Sequence, residues 1–205
     1  MLDLPFNHTV SIVIITVIIS LIAFSNQNVM NRLIFWPPAM QKGQYDRFIT
    51  HGFIHADGTH LLFNMITLFF FGSVIESFYR QYFYELGFVL FYLGGLIVAI
   101  IPSYLKHKND HRWASLGASG AVSAVLFAYI LFEPWKLIFV FFIPVPAIIS
   151  AVLYIAYSIW SGKKDNSNVN HSAHLWGAAY GVIMTIIIEP RLIPHFLSKL
   201  TQLPF

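Results

Sequence analysis

The sequence predicts an all-α membrane protein, a bundle of six transmembrane helices forming one domain over residues 1–205. Three observations carry this reading. The chain is 57% hydrophobic and 10% charged, whereas an ordinary soluble domain is about 25% charged, so the apolar excess belongs in lipid. The charges fall in seven clusters: Asp3; Arg32 to Asp57; Glu76 to Glu85; Lys106 to Arg112; Glu133 and Lys136; Lys163 to Asp165; Glu189 to Lys199. Between them lie six charge-free gaps, each able to hold the roughly 17–25 apolar residues of a spanning helix.

The first span, about 9–25, follows the single acidic residue Asp3. It lacks the basic leading region and Ala-x-Ala site of a secretory signal, so it is expected to remain as a helix. Residues 26–58 form a long connection containing Phe35-Trp36-Pro37-Pro38, a composition suited to the membrane interface. The second and third spans cover about 59–78 and 84–104, and the fourth, about 114–132, begins soon after Arg112. The fifth, about 137–160, holds Pro144 and Pro146 amid Phe139, Phe141 and Phe142. Proline removes a backbone donor and bends a helix, so a kinked helix is expected there. The sixth span covers about 172–189. Both ends beyond the spans are short, and no regulatory domain is expected.

Composition also removes some classes of function. With no cysteine, disulfides and thiolate metal sites are excluded. The net charge of +3 is spread over loops, which does not describe a nucleic-acid surface.

The informative residues are the polar ones inside the spans, because unsatisfied polar groups in lipid are costly. Six spans place the starts of the second, fourth and sixth on one membrane face. His60 and Asn64 lie at the start of the second, Ser119 in Gly117-Ala118-Ser119-Gly120 at the start of the fourth, and His174 at the start of the sixth. All four therefore share a depth. Ser119 follows Arg112 by seven residues, which puts it roughly 10 Å below the surface at 1.5 Å per residue. A hydroxyl and an imidazole at one depth are the parts of a Ser–His catalytic dyad. The helix start at Ser119 adds unpaired N–H groups and a positive dipole end, which stabilise an oxyanion.

Each residue has a competing reading. Gly117, Ser119 and Gly120 also suit close helix packing. The motif is not the Gly-x-Ser-x-Gly nucleophile elbow, because position 121 is Ala and the flanks are helical. His174 alone could be a structural hydrogen-bond partner or a haem ligand. Gly177 and Gly181 follow it on one helix face, and Gly120, Ala124 and Ala128 form a matching stripe on the fourth span. Packing these stripes together places Ser119 beside His174. His60 and Asn64, four apart, can donate toward an oxyanion or simply satisfy loop carbonyls. His51 and His55 upstream raise a metal-site alternative, although the nearest span carboxylate, Glu76, is sixteen residues from His60. Near His174 the acidic residues are Asp165, in a loop, and Glu189, about 22 Å along the helix. The expected arrangement is a dyad with no carboxylate, in which neutral imidazole takes the serine proton.

Together these residues resemble the rhomboid family of intramembrane serine proteases, in its six-helix bacterial form. The resemblance runs from about 44 to 190 and rests on Gly117-Ala118-Ser119-Gly120, on His60-Leu61-Leu62-Phe63-Asn64, and on His174-Leu175-Trp176-Gly177-Ala178-Ala179-Tyr180-Gly181. His51 and His55 match the family in spacing. The resemblance implies an endopeptidase that cleaves single-span membrane proteins near the outer end of their helix. It implies Ser119 as nucleophile, His174 as general base, and His60, Asn64 and the Ser119 N–H as the oxyanion hole, with no metal or other cofactor. Its partners would be a transmembrane protein substrate and membrane lipid. It also implies that Glu76 is a structural carboxylate, that Arg47 belongs to a Trp–Arg pair, and that the fifth helix is a lateral gate. The sequence departs from the pattern at Asp46, which precedes Arg47, and at Ser123, where relatives often carry a Tyr packed on the histidine.

Orientation divides the signals. Loops on the face of Ser119 carry Arg32, Lys42, Arg47, Lys106, Lys108, Arg112, Lys163 and Lys164, and the other face carries Arg80, Lys136, Arg191 and Lys199. Charge alone would place the larger set in the cytoplasm. The resemblance implies a multi-pass protein of the cell (inner) membrane with its site toward the extracytoplasmic face, and that orientation is the expectation adopted. Two other functions compete: a catalytically inactive rhomboid-like protein that binds membrane helices, and a histidine-ligated metal or haem membrane protein.

Overall fold

The fold was analysed in a computed structural model that describes residues 7–140, 142–163 and 169–202. Asp3, Phe141, Lys164 and Asp165 lie outside the described residues. The element order is α1 (His8–Ser25), α2 (Gln27–Leu33), α3 (Pro37–Gln41), α4 (Arg47–Thr50), α5 (Gly58–Phe83), α6 (Gly87–His107), α7 (Ser119–Phe132), β1 (Leu137–Val140), β2 (Ile143–Pro146), α8 (Ala147–Gly162), α9 (His171–Ile188) and α10 (Leu192–Thr201). The protein is an all-α membrane bundle with one small hairpin. Among the described residues, three segments are long and apolar enough to cross a membrane, His8–Ser25, Gly58–His107 and His171–Ile188, while Ser119–Phe132 and Ala147–Gly162 are apolar but shorter.

The bundle is organised around α7. All of its residues except Ser119, Leu126 and Phe132 are buried, and α5, α6 and α9 pack around it. An all-round apolar helix needs such a central place. Its closest neighbour is α9, and glycines explain why. A Cβ on Gly177 would overlap the carbonyl of Gly120, and one on Gly181 would overlap the carbonyl of Ala124. The small-residue stripes read from the sequence are thus the seam between the two helices.

At the other end of the bundle a buried carboxylate joins α1 to α5. The Glu76 side chain accepts the His8 and Thr9 N–H groups, each at 2.9 Å, and the Thr9 hydroxyl at 2.7 Å. It thereby caps α1, where first-turn N–H groups lack helical acceptors and a negative charge is favoured.

The expected kinked fifth helix is not present. Strands β1 and β2 pair antiparallel, Leu137 with Pro146 and Phe139 with Pro144, and α8 begins only at Ala147. The cause is local. Proline has no N–H, and it pushes the preceding residue toward extended backbone. Two prolines spaced by two therefore specify a strand, and Phe142 turns the hairpin with a φ of 69°. The fourth helix is also shorter than the expected 114–132, because residues before Ser119 run as extended chain.

Gly181→Leu should force α7 and α9 apart and cost about 1–3 kcal/mol, as overpacking in a filled core does. The check is the thermal unfolding midpoint in detergent; an unchanged midpoint would show that this seam does not hold the helices.

Candidate active site

Ser119 is the first residue of α7, and the chain leading to it is held by backbone pairing on one side and glycine geometry on the other. Ser115 exchanges both backbone hydrogen bonds with Phe35, each 2.9 Å. The Gly117 N–H donates to the His51 carbonyl at 2.9 Å. Gly117 has a φ of +112°, in the left-handed region that favours glycine. A Cβ there would also lie 2.6 Å from the His60 ring, so two constraints demand glycine at this position.

Two upstream histidines support this turn. His51 is buried, which keeps it neutral and pulls its pKa down to about 4. Its Nδ1–H donates to the Arg47 carbonyl at 2.8 Å. His55 is pulled down to about 3, first by burial and then by His60 nearby. The Ala118 N–H points at its Nε2 at 3.4 Å, which leaves the proton on Nδ1, 3.0 Å from the Ser20 hydroxyl. Ser20 in turn donates to the Phe53 carbonyl at 3.0 Å. The His55 ring meets the His60 ring edge to face with centroids 4.9 Å apart, and His60 rests on Gly117.

The four sequence-predicted residues come together. His174 Nε2 lies 2.8 Å from Ser119 Oγ, and Ser119, His174, His60 and Asn64 line one cavity of about 1300 Å³. Asp57 caps α5 by accepting the His60 N–H at 2.8 Å. The Asn64 amide donates to the His60 carbonyl at 2.9 Å, which occupies one of its two N–H groups. Among the described residues no three His, Asp or Glu side chains are grouped to hold a metal ion.

Three supporting residues were not read from the sequence. Tyr154 of α8 stacks on the His174 ring, with centroids 5.7 Å apart and planes 24° apart, and its hydroxyl lies 2.6 Å from that of Ser123. Nothing local in the chain marks Tyr154. Asn170 caps α9 by accepting the Ala173 N–H at 3.1 Å, accepts the Ser103 hydroxyl at 3.0 Å and donates to Ser115 at 3.3 Å. An Asn just before an apolar span is a cap signal that was available to find it. His55, raised by the sequence for its spacing and as part of a metal-site alternative, is a bond to the serine loop.

The departure at Asp46 also has a partner. Asp46 pairs with Arg32 at 2.7 Å, and the hydrogen bond from that guanidinium holds its carboxyl below the usual range. Arg47 is buried and donates to the Asn31 and Ile34 carbonyls at 2.9 and 2.6 Å. The connection between α1 and α5 is therefore anchored through backbone carbonyls.

A membrane bundle of helices enclosing a hydrogen-bonded serine and histidine in a wide cavity has the architecture of a membrane-embedded hydrolase. Comparison with known proteins narrows the class. Residues 42–191 match the family model described as Rhomboid domain, and the chain belongs to the rhomboid family. It is 33% identical over 177 residues to RHOMBOID-like protein 12, mitochondrial, of Arabidopsis thaliana, covering 78% of this chain and 51% of that protein. It is 28% identical over 145 residues to Putative rhomboid protease YdcA of Bacillus subtilis, covering 71% and 68%. It is 31% identical over 126 residues to Rhomboid protease GlpG of Enterobacter sp., covering 60% and 41%. The chain thus spans about half the length of the Arabidopsis relative. It is a multi-pass membrane protein of a protease family.

Proposed function

We propose that this chain is an active intramembrane serine endopeptidase that cleaves single-span membrane proteins near the outer end of their transmembrane helix. The observation that carries the proposal is the 2.8 Å contact between Ser119 Oγ and His174 Nε2, inside a cavity shared with His60 and Asn64. In this reading Nε2 accepts the hydroxyl proton as Oγ attacks the scissile carbonyl carbon. The resulting oxyanion is met by the Ser119 N–H at the start of α7, together with His60 and Asn64. The imidazolium then gives its proton to the leaving amine, and water, activated by the same imidazole, releases the acyl group from Ser119. Substrates need extended backbone at the bond attacked, so small or helix-breaking residues are expected there.

Ser119→Ala and His174→Ala should each abolish cleavage of a transmembrane substrate and reaction with a serine-directed fluorophosphonate, in protein that remains folded. Because the two act as a unit, the double variant should be hardly slower than either single. Appreciable activity in Ser119→Ala would sink the assignment, and a wild-type chain that neither cleaves nor labels would mark an inactive member.

Asn64→Ala should lower kcat about 10–1000-fold with little change in KM, as for losing one oxyanion donor. Loss of stability with normal specific activity would instead make the Asn64 bond to His60 structural.

We further propose that the protein sits in the cell (inner) membrane with the cavity toward the extracytoplasmic side. A single cysteine at Lys108, on the cavity side, should react with an impermeant thiol reagent from outside intact cells. One at Gln81, at the far end of α5, should react only after permeabilisation. The reverse pattern would put the site in the cytoplasm, as the charge distribution suggests.

A further inference from the structure

Among the described residues His174 has two aromatic neighbours, and they differ in what they are attached to. His171 meets it edge to face with centroids 5.9 Å apart, but His171 lies three residues away on α9 and moves with it. Tyr154 lies across its face and belongs to α8, a separate helix. Among the described residues no carboxylate is hydrogen-bonded to His174, so ring packing takes the orienting part that a carboxylate plays in a triad. Tyr154 is also tied to the nucleophile's helix. Its hydroxyl is 2.6 Å from that of Ser123, one turn beyond Ser119 and on the same face.

The helix that carries this ring is more loosely held than α7 or α9. Only Ala147, Ala151, Ser158 and Ser161 of α8 are buried, while Ile149, Val152, Leu153, Tyr157 and Trp160 are exposed on its outer side. Apart from Ile148 and Tyr154, which pack on the core, the residues it buries are small, so little further apolar surface binds it to the bundle. A helix held this way shifts more readily than α7 or α9, and when it shifts it takes Tyr154 along.

We propose that α8 controls the orientation of His174 through Tyr154, so that the serine–histidine pair is competent only while α8 is seated against α7 and α9. Tyr154 is a positioning residue, and Ser123 holds its ring in register. This rests on the reading of Ser119 and His174 as a catalytic dyad. Its consequence is a built-in interlock. A displacement of α8 removes the face that aligns the base, and reseating α8 restores it.

The experiment measures the rate at which Ser119 reacts with a small water-soluble fluorophosphonate, using the full chain in detergent, alongside kcat and KM on a transmembrane substrate. The probe carries no transmembrane segment, so it reports the dyad alone. Tyr154→Met, which fills similar volume without a ring, should slow labelling and kcat together by about 10–100-fold, as misalignment of a catalytic group does, with KM little changed. Tyr154→Phe, which keeps the ring but loses the bond to Ser123, should slow labelling less than Tyr154→Met and to the same extent as Ser123→Ala. Ala151→Leu enlarges a buried residue of α8 and should slow labelling as Tyr154→Met does. The double variant Ala151→Leu with Tyr154→Met should be no slower than the slower single, since both act through one ring.

Equal rates for Tyr154→Phe and Tyr154→Met would overturn the positioning role, and multiplicative losses in the double variant would overturn the link to α8. If either α8 variant proves unfolded by its melting curve, Ser123→Ala decides, because it frees the ring without touching α8; unchanged labelling there overturns the proposal. Labelling of Ser119→Ala is a different failure, since it removes the dyad reading on which the interlock rests.

Discussion

Close approach of α7 and α9 is the constraint on which the rest of the site depends. Gly177 lies against the Gly120 backbone and Gly181 against that of Ala124. Ser119 directly precedes the first of these contacts, and His174 lies one turn before Gly177. The spacing between hydroxyl and imidazole is therefore set by a backbone contact immediately beside it, with no flexible side chain between. In lipid such contact is how helices associate, because apolar side chains gain little by leaving one apolar surroundings for another. The seam between α7 and α9 is also the ruler for the proposed dyad.

A polar pair at this depth brings a second requirement, since every backbone group of the segment delivering Ser119 must be satisfied without bulk water. The bonds already described for Ser115, Gly117 and Ala118 meet part of it, drawing on Phe35, His51 and His55. All three acceptors or partners come from the connection between α1 and α5, and that connection is itself anchored by Arg47. Starting α7 late leaves a helix of 14 residues, about 21 Å long at 1.5 Å per residue, short of the roughly 30 Å hydrocarbon core. The shortfall is the space in which the cavity lies.

Much of this was legible in the residues. Charge clusters bounded apolar helices, and the small-residue stripes at Gly177, Gly181, Gly120 and Ala124 identified a helix seam because close packing needs those residues at those spacings. The parity of the spans brought His60, Asn64, Ser119 and His174 to one face. What escaped was of two kinds. The pairing of β1 with β2 was hidden because apolar content alone does not distinguish strand from helix, although Pro144 and Pro146 carried the signal and were read as a kink. Tyr154 was hidden because its meaning lies in which helix it meets, and no local pattern encodes that.

The two departures from the family pattern have the same physical explanation. Asp46 stands beside Arg47, and in three dimensions it pairs with Arg32 while the Arg47 guanidinium turns to carbonyls. Ser123 stands where the resemblance implies an aromatic ring, and the ring arrives from α8 with its hydroxyl on Ser123. In each case the function of the replaced group is a demand made by its surroundings: a buried loop needs donors for its carbonyls, and an imidazole needs a flat surface to fix its plane. Any residue that reaches the spot meets that demand. Because the ring comes from α8 and not from α7, the motion that would disturb the proposed base is that of α8, a helix with few buried residues.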